Sequence, residues 1–370
     1  MIARMTVALS FVFALGCASF DTEAVLERSE GIQRDYSVAV DVSQTSPLLG
    51  NTMNTLGRIE RSLAVFPDAY RRKIAKINVV ESFFDRYGLL SSGIGAYTED
   101  EIPSKYRQIF VKNKNVFEDI SGALSMDVGL HIEHEAWHSV EYCEIQKLEP
   151  MIRARSKGDL KTLWDVLSRT DAVLANLTPA EVDQAAACAS TVEGQRQLRA
   201  YVWLIKGWLA AHFEDVDNNG VIDDADMHAV DANRMTYDAD RDGRLTYADV
   251  AKRTRYHYME QENPLDPGLQ LGLTAGMFGF HGSGFVTFYA QNYTYEDRAE
   301  VVDRIAAWKL VPWLYRKGDA GRTEKAWRKF HDLRKSDPVI GRKVELMVRY
   351  IALHEDPAKL NERWTKSLLR

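Results

Sequence analysis

His134-Glu135-Ala136-Trp137-His138 is the stretch that decides how this chain folds and what chemistry it carries. An α-helix advances about 3.6 residues per turn, so two histidines four positions apart lie on one face, one turn from each other. From there both imidazoles reach a single Zn²⁺ at about 2.0–2.1 Å. Glu135 projects beside them, badly placed to be a ligand but well placed to hydrogen-bond a water held by the metal. Zinc lowers the pKa of such a water to about 7. Glu135 would then take its proton and pass it to a leaving amine.

The pentapeptide also occurs in helices that bind no metal, and His131 makes this stretch simply His-rich. A third ligand is therefore needed. Glu141 lies three positions beyond His138 on roughly the same face. Three ligands from one rigid helix fit a tetrahedral ion poorly, so Glu141 is expected to be a supporting or exposed group. Tyr295-Glu296-Asp297-Arg298-Ala299-Glu300 is the better source. A carboxylate at the start of that helix could face the histidines across a cleft and leave the fourth metal position open, as catalytic zinc requires.

The run from His134 through Ser139, Val140, Glu141 and Tyr142, followed by Tyr289 and Glu296-x-x-Ala299-Glu300, resembles the zinc peptidase domain of anthrax lethal factor and its bacterial relatives. It resembles still more a group of exported zinc-binding proteins with an aromatic residue before the second histidine. The resemblance implies a zincin-like, gluzincin-type metallopeptidase with His134, His138 and Glu296 on zinc and Glu135 as the catalytic carboxylate. It also implies that Tyr289 donates to the developing oxyanion. Substrate, a peptide or protein, would lie as an extended strand along a sheet edge, for which Gln108-Ile109-Phe110-Val111 is the candidate. Two features depart from the family: the long gap between His138 and Glu296, and the charged Asp297 and Arg298 where lethal factor has an apolar pair. A one-turn offset would make Glu300 the ligand and Glu296 its support. The spacing from Tyr289 favours Glu296.

The long gap holds an acidic module. Asp215, Asp217, Asn219, Val221 (through its carbonyl), Asp223 and Asp226 occupy the ligand positions of an EF-hand calcium loop, with Gly220 at the sharp turn. Asp238, Asp240, Asp242, Arg244, Thr246 and Asp249 repeat the pattern around Gly243, and Ile222 and Leu245 match at the position where paired loops touch. Both loops end in Asp rather than Glu, which weakens bidentate binding. Exported sites of this kind work at about 10⁻⁴–10⁻³ M calcium. The close repeat resembles the compact arrangement of dockerins. Flanked by helix on both sides, it reads as a calcium-stapled insert rather than a docking module.

Elsewhere, helical spacing of Leu56, Ile59, Leu63, Ala64 and Phe66 ends at Pro67. Ile77-Asn78-Val79-Val80 and Gln108–Val111 read as buried strands, with Gly88, Gly93 and Gly95 marking turns between them. Residues 117–144 and 178–213 read as helices. Gly284 to Tyr289 reads as a short strand, and the chain from Glu296 onward as amphipathic helix with Trp308, Trp313 and Trp327 in the core. The fold class is α+β: a small sheet plus an active-site helix and a helical C-terminal part.

The 370 residues carry a net charge of -6 with no basic stripe, which argues against a nucleic-acid partner. Met5 to Gly16 is an apolar run too short to span a bilayer, preceded by Arg4. Ala14-Leu15-Gly16-Cys17 resembles a lipobox, with Cys17 lipidated. Cleavage near Ala18-Ser19, giving a secreted protein, is the alternative. Either route exports the chain, to the cell envelope or beyond, and a lipid would be its sole membrane contact. Cys143 and Cys188 either pair or sit buried as thiols. The expected partition is a signal peptide over 1–16, a tether over 17–50, catalytic parts over 51–199 and 256–370, and the calcium module over 200–255. The leading expectation is an exported zinc metallopeptidase requiring Zn²⁺ and Ca²⁺. The alternative is a calcium-binding envelope lipoprotein with a non-catalytic zinc site. Substrate specificity and oligomeric state are not legible.

Overall fold

The computed structural model describes residues 22–45, 52–81, 96–99, 103–113, 131–156, 160, 163–212, 241, 284–286, 290, 294–314 and 332–354. They form an α+β body. The signal peptide with Cys17, the calcium loops (Asp215 to Asp226, and Asp238 to Asp249 apart from Arg241), Tyr289 and Trp327 lie outside the described residues, as do the side chains of Trp308 and Trp313.

Within the expected tether, residues 22–45 are instead part of the body. Thr22–Tyr36 is a helix, α1, and Val40–Gln44 a strand, β1. Val25, Ser29 and Ile32 are buried along one stripe of α1, and Val38 and Val40 join them in the core. The stripe has about one position per turn, and one of its three is a serine, so the helical signal is faint beside the polar residues around it.

α2, Thr52–Val65, buries Leu56, Ile59 and Leu63. The chain turns at Pro67 into α3, Asp68–Arg71, and then enters β2, Lys76–Val80. Two further strands follow, β3 (Ala96–Thr98) and β4 (Gln108–Lys112). The sheet order is β1-β2-β4-β3; β1, β2 and β4 run parallel and β3 antiparallel to β4. Ile77 opposite Ile109 and Val79 opposite Val111 are almost fully buried. Central parallel strands are covered on both faces, which is why both read as apolar runs. The expected edge is therefore corrected. Gln108–Val111 is interior, and among the described residues the outer strands are β1 and the three-residue β3, which is too short to show a period.

α4, His131–Arg155, packs against β3, β4, α2 and α3. It also packs against α5, Leu163–Ala175. The single helix expected over 178–213 is two: α6, Pro179–Ala186, and α7, Val192–Ala210. Thr178 and Glu181 form a reciprocal capping box at the first, and Thr191 accepts from Gly194 N at the second. A side-chain oxygen that satisfies free amides starts a new helix here. α7 buries Leu204, Ile205, Trp208 and Leu209, so residues 200–210 belong to the body rather than to an insert.

The C-terminal part contains α8, Thr294–Leu314, and α9, Pro338–Ala352. The strand expected from Gly284 is a turn at Gly284–Val286. Gly284 has φ 87°, and a Cβ there would meet Val339 Cγ1 at 2.9 Å. Its amide donates to Asp337 Oδ2 at 2.6 Å, and its carbonyl accepts from Lys343 Nζ at 2.6 Å. A left-handed residue pinned on both sides cannot continue a strand. Cys143 (half-buried) and Cys188 (exposed) are both free thiols, so neither the disulfide nor two fully buried thiols describes them. Among the described residues no helix is long and apolar enough to cross a membrane.

Candidate metal centre

α4 supplies the histidines. Their own face is the polar seam of a helix whose back is core: Trp137 is fully buried, edge-on to Tyr70 and Tyr350 at ring separations of 6.0 and 5.8 Å. That packing fixes the roll of α4 and turns residues 134, 135 and 138 toward α8 and β3. His138 also stacks on Tyr142 and meets the edge of Tyr295 on α8.

α8 supplies the third group. His134 Nε2 and Glu296 Oε2 are 2.8 Å apart, the two Nε2 atoms 3.1 Å, and His138 Nε2 and Glu296 Oε2 3.4 Å. A tetrahedral zinc with bonds of about 2.0–2.1 Å spaces its ligand atoms by about 3.3–3.4 Å. The three atoms thus sit close to one face of such a tetrahedron and need to spread by only a few tenths of an ångström. All three residues are buried, and they are a group able to hold a metal ion. They would supply three ligands to such an ion, the number that leaves a tetrahedral position for water or substrate.

Glu296 and His134 hold each other in their charged forms. Burial alone would push Glu296 toward its neutral form, yet His138 and His134 hold its pKa below the ordinary carboxylate range. Burial likewise opposes charge on His134, but hydrogen bonds with Glu296 and Glu300 raise its pKa well above the usual imidazole value. Glu300 Oε1 lies 3.2 Å from His134 Nδ1, on the far side of the ring from Glu296. Glu296 thus completes the triangle with the two histidines, and Glu300 sits behind the His134 ring, where an outer carboxylate would orient a metal-bound histidine.

Glu135 is buried beside the histidines. Thr98, on β3, places its hydroxyl 2.8 Å from Glu135 Oε2 and 2.9 Å from the Glu135 carbonyl oxygen. No motif announces Thr98; it is legible only once the sheet is paired.

The charged pair beside Glu296 is resolved by its partners. Asp297 accepts from Lys343 Nζ at 2.5 Å and from Trp208 Nε1 at 2.7 Å. Arg298 Nε donates to Glu141 at 2.5 Å, while its two terminal nitrogens engage Asp171 at 2.8 and 3.2 Å. Glu141 also accepts from Tyr201 and points into this network, not onto the ligand triangle. Lys343 lies over the rings of Phe285 and Trp208. Charges at 297 and 298 therefore do the packing that an apolar pair would do, with greater directional constraint.

The chain matches no protein-family model, no curated protein and no solved structure.

Proposed function

We propose that this chain is an exported, zinc-dependent metallopeptidase. The observation that carries the reading is the buried His134–His138–Glu296 group, assembled from two helices with a carboxylate, Glu135, beside it. Two imidazoles and one carboxylate are the donor set of many catalytic zinc sites. Zinc, when bound, would supply Lewis acidity toward a substrate carbonyl and toward water.

The chain's own residues would do the rest. Glu135 accepts the proton of the attacking water and delivers it to the leaving nitrogen. Glu300 keeps the His134 ring aimed, and Tyr289 donates to the oxygen that gains charge. The substrate lies as an added strand on the edge strand β3, whose Ala96–Thr98 borders Glu135. The lipobox-like run ending at Cys17 supports a lipid-anchored enzyme on an envelope surface, and the two acidic loops would bind calcium as a staple.

The test uses full-length protein and fluorescein-labelled casein, with zinc content measured alongside. Glu135→Ala is expected to keep its zinc and to lose cleavage by at least about a hundredfold. Full activity in that variant would overturn the mechanism. Zinc without any cleavage in the wild type would leave a metal-binding envelope protein instead. Removing calcium is expected to lower the melting temperature, and an unchanged melt would remove the staple.

A further inference from the structure

Thr98 occupies a position that joins the sheet edge to the carboxylate beside the metal ligands. It pairs with Ile109 in the antiparallel β3–β4 ladder. One residue on, Glu99 N donates to Gln108 O at 3.0 Å, which makes 99–108 a hydrogen-bonded pair. Antiparallel pairs alternate, so 98–109 is a non-hydrogen-bonded pair, and the Thr98 amide and carbonyl point away from β4 toward the edge. Its side chain stands out of the sheet plane, on the face that meets α4: Thr98 is buried, with its hydroxyl within hydrogen-bond distance of both Glu135 oxygens named above. Tyr97, on the opposite face, stacks on Phe110 with ring centroids 4.9 Å apart and planes 6° from parallel, which fixes the strand's roll.

We propose that Thr98 is a positioning residue, whose hydroxyl holds the Glu135 carboxylate in its working orientation. The inference rests on the role given to Glu135 above. A hydroxyl has one hydrogen and two acceptors to choose from here, the carboxylate and the carbonyl. When it donates to Oε2 the carboxylate is fixed with its other oxygen, Oε1, left to accept from a ligand. Serine keeps that donor; valine keeps the shape and removes it.

The test is a double-mutant cycle on zinc-loaded full-length protein, read as affinity for acetohydroxamic acid by calorimetry. A hydroxamate presents a hydroxyl to the carboxylate beside the metal and needs no turnover. Thr98→Val is expected to weaken binding about tenfold, the size of one hydrogen bond to a charged group, with zinc content unchanged. Thr98→Ser should stay within about twofold of wild type, and Thr98→Val should have no effect in a Glu135→Ala background. An unchanged affinity in Thr98→Val, or the same loss with Glu135 absent, overturns the proposal. The cycle repeated on metal-free protein, read as melting temperature, must also fail to add; additive shifts count against it. Casein cleavage separates the two claims. Coupling without cleavage retires the peptidase reading and leaves Thr98 in place, whereas cleavage without coupling retires Thr98 alone.

Discussion

Arg298 and Glu141 meet at 2.5 Å in the protein interior, both almost fully buried, and join the helix that carries the histidines to the helix that carries Glu296. Arg298 reaches Asp171 on α5 with its remaining nitrogens. Burial raises the pKa of Glu141, and Arg298 pulls it back down. A buried charge network thus ties α4, α5 and α8 together.

Removing one partner of such a network leaves the others buried and unpaired. Arg298→Met is expected to destabilise the fold by about 3–5 kcal/mol, measured by urea unfolding. Among molecules that remain folded, zinc affinity should also fall, because Glu296 loses its fixed distance from the histidines. A variant as stable as wild type would show that the network does not hold these helices.

Glu300 tests the assignment of ligand and support. Glu300→Gln keeps the side chain's size but weakens the grip on His134 Nδ1. Zinc affinity, measured by competition with a chelating dye, should drop about tenfold to a hundredfold with one zinc still bound at saturation. Complete loss of zinc in this variant would make Glu300 the ligand and move the register by a turn.

Much of this site was legible before any fold. His134 and His138 have the helical spacing of one helix face, the resemblance pointed to Glu296, and the fold brings the three together as a group able to hold a metal ion; Ile77–Val80 and Gln108–Val111 announce buried strands by composition. Three things were not legible, each for a physical reason. β3 has three residues, too few for a period, so this outer strand and Thr98 were invisible. α1 presents only a thin apolar stripe, so a core helix looked like a tether. Asp297 and Arg298 looked like departures because their partners, Lys343, Glu141 and Asp171, are distant in sequence and met only by folding.

His354 should give the fold a pH dependence. Burial, followed by the positive charge of Lys73, lowers its pKa to about 4, against the partial opposition of the Tyr350 carbonyl, Glu144 and Glu193. Its ring also faces Tyr70 Oη at 3.3 Å. As pH falls, the unfolded chain takes the proton first, near the ordinary value of 6.5. Stability from this group is therefore full above that value, is lost as pH falls toward about 4, and changes no further below. Between pH 7 and pH 5 the loss should be about 2 kcal/mol. His354→Gln should flatten that part of the profile, and an unchanged slope would assign it to other groups.

The most direct measurement is the metal content of full-length protein purified without chelators, beside that of Glu296→Ala. Wild type is expected to carry one zinc per chain. Glu296→Ala, which removes one corner of the ligand triangle, is expected to carry almost none while keeping its helical circular dichroism. A wild-type chain without zinc, or a Glu296→Ala chain with its full complement, would contradict the assignment of His134, His138 and Glu296 as a zinc centre.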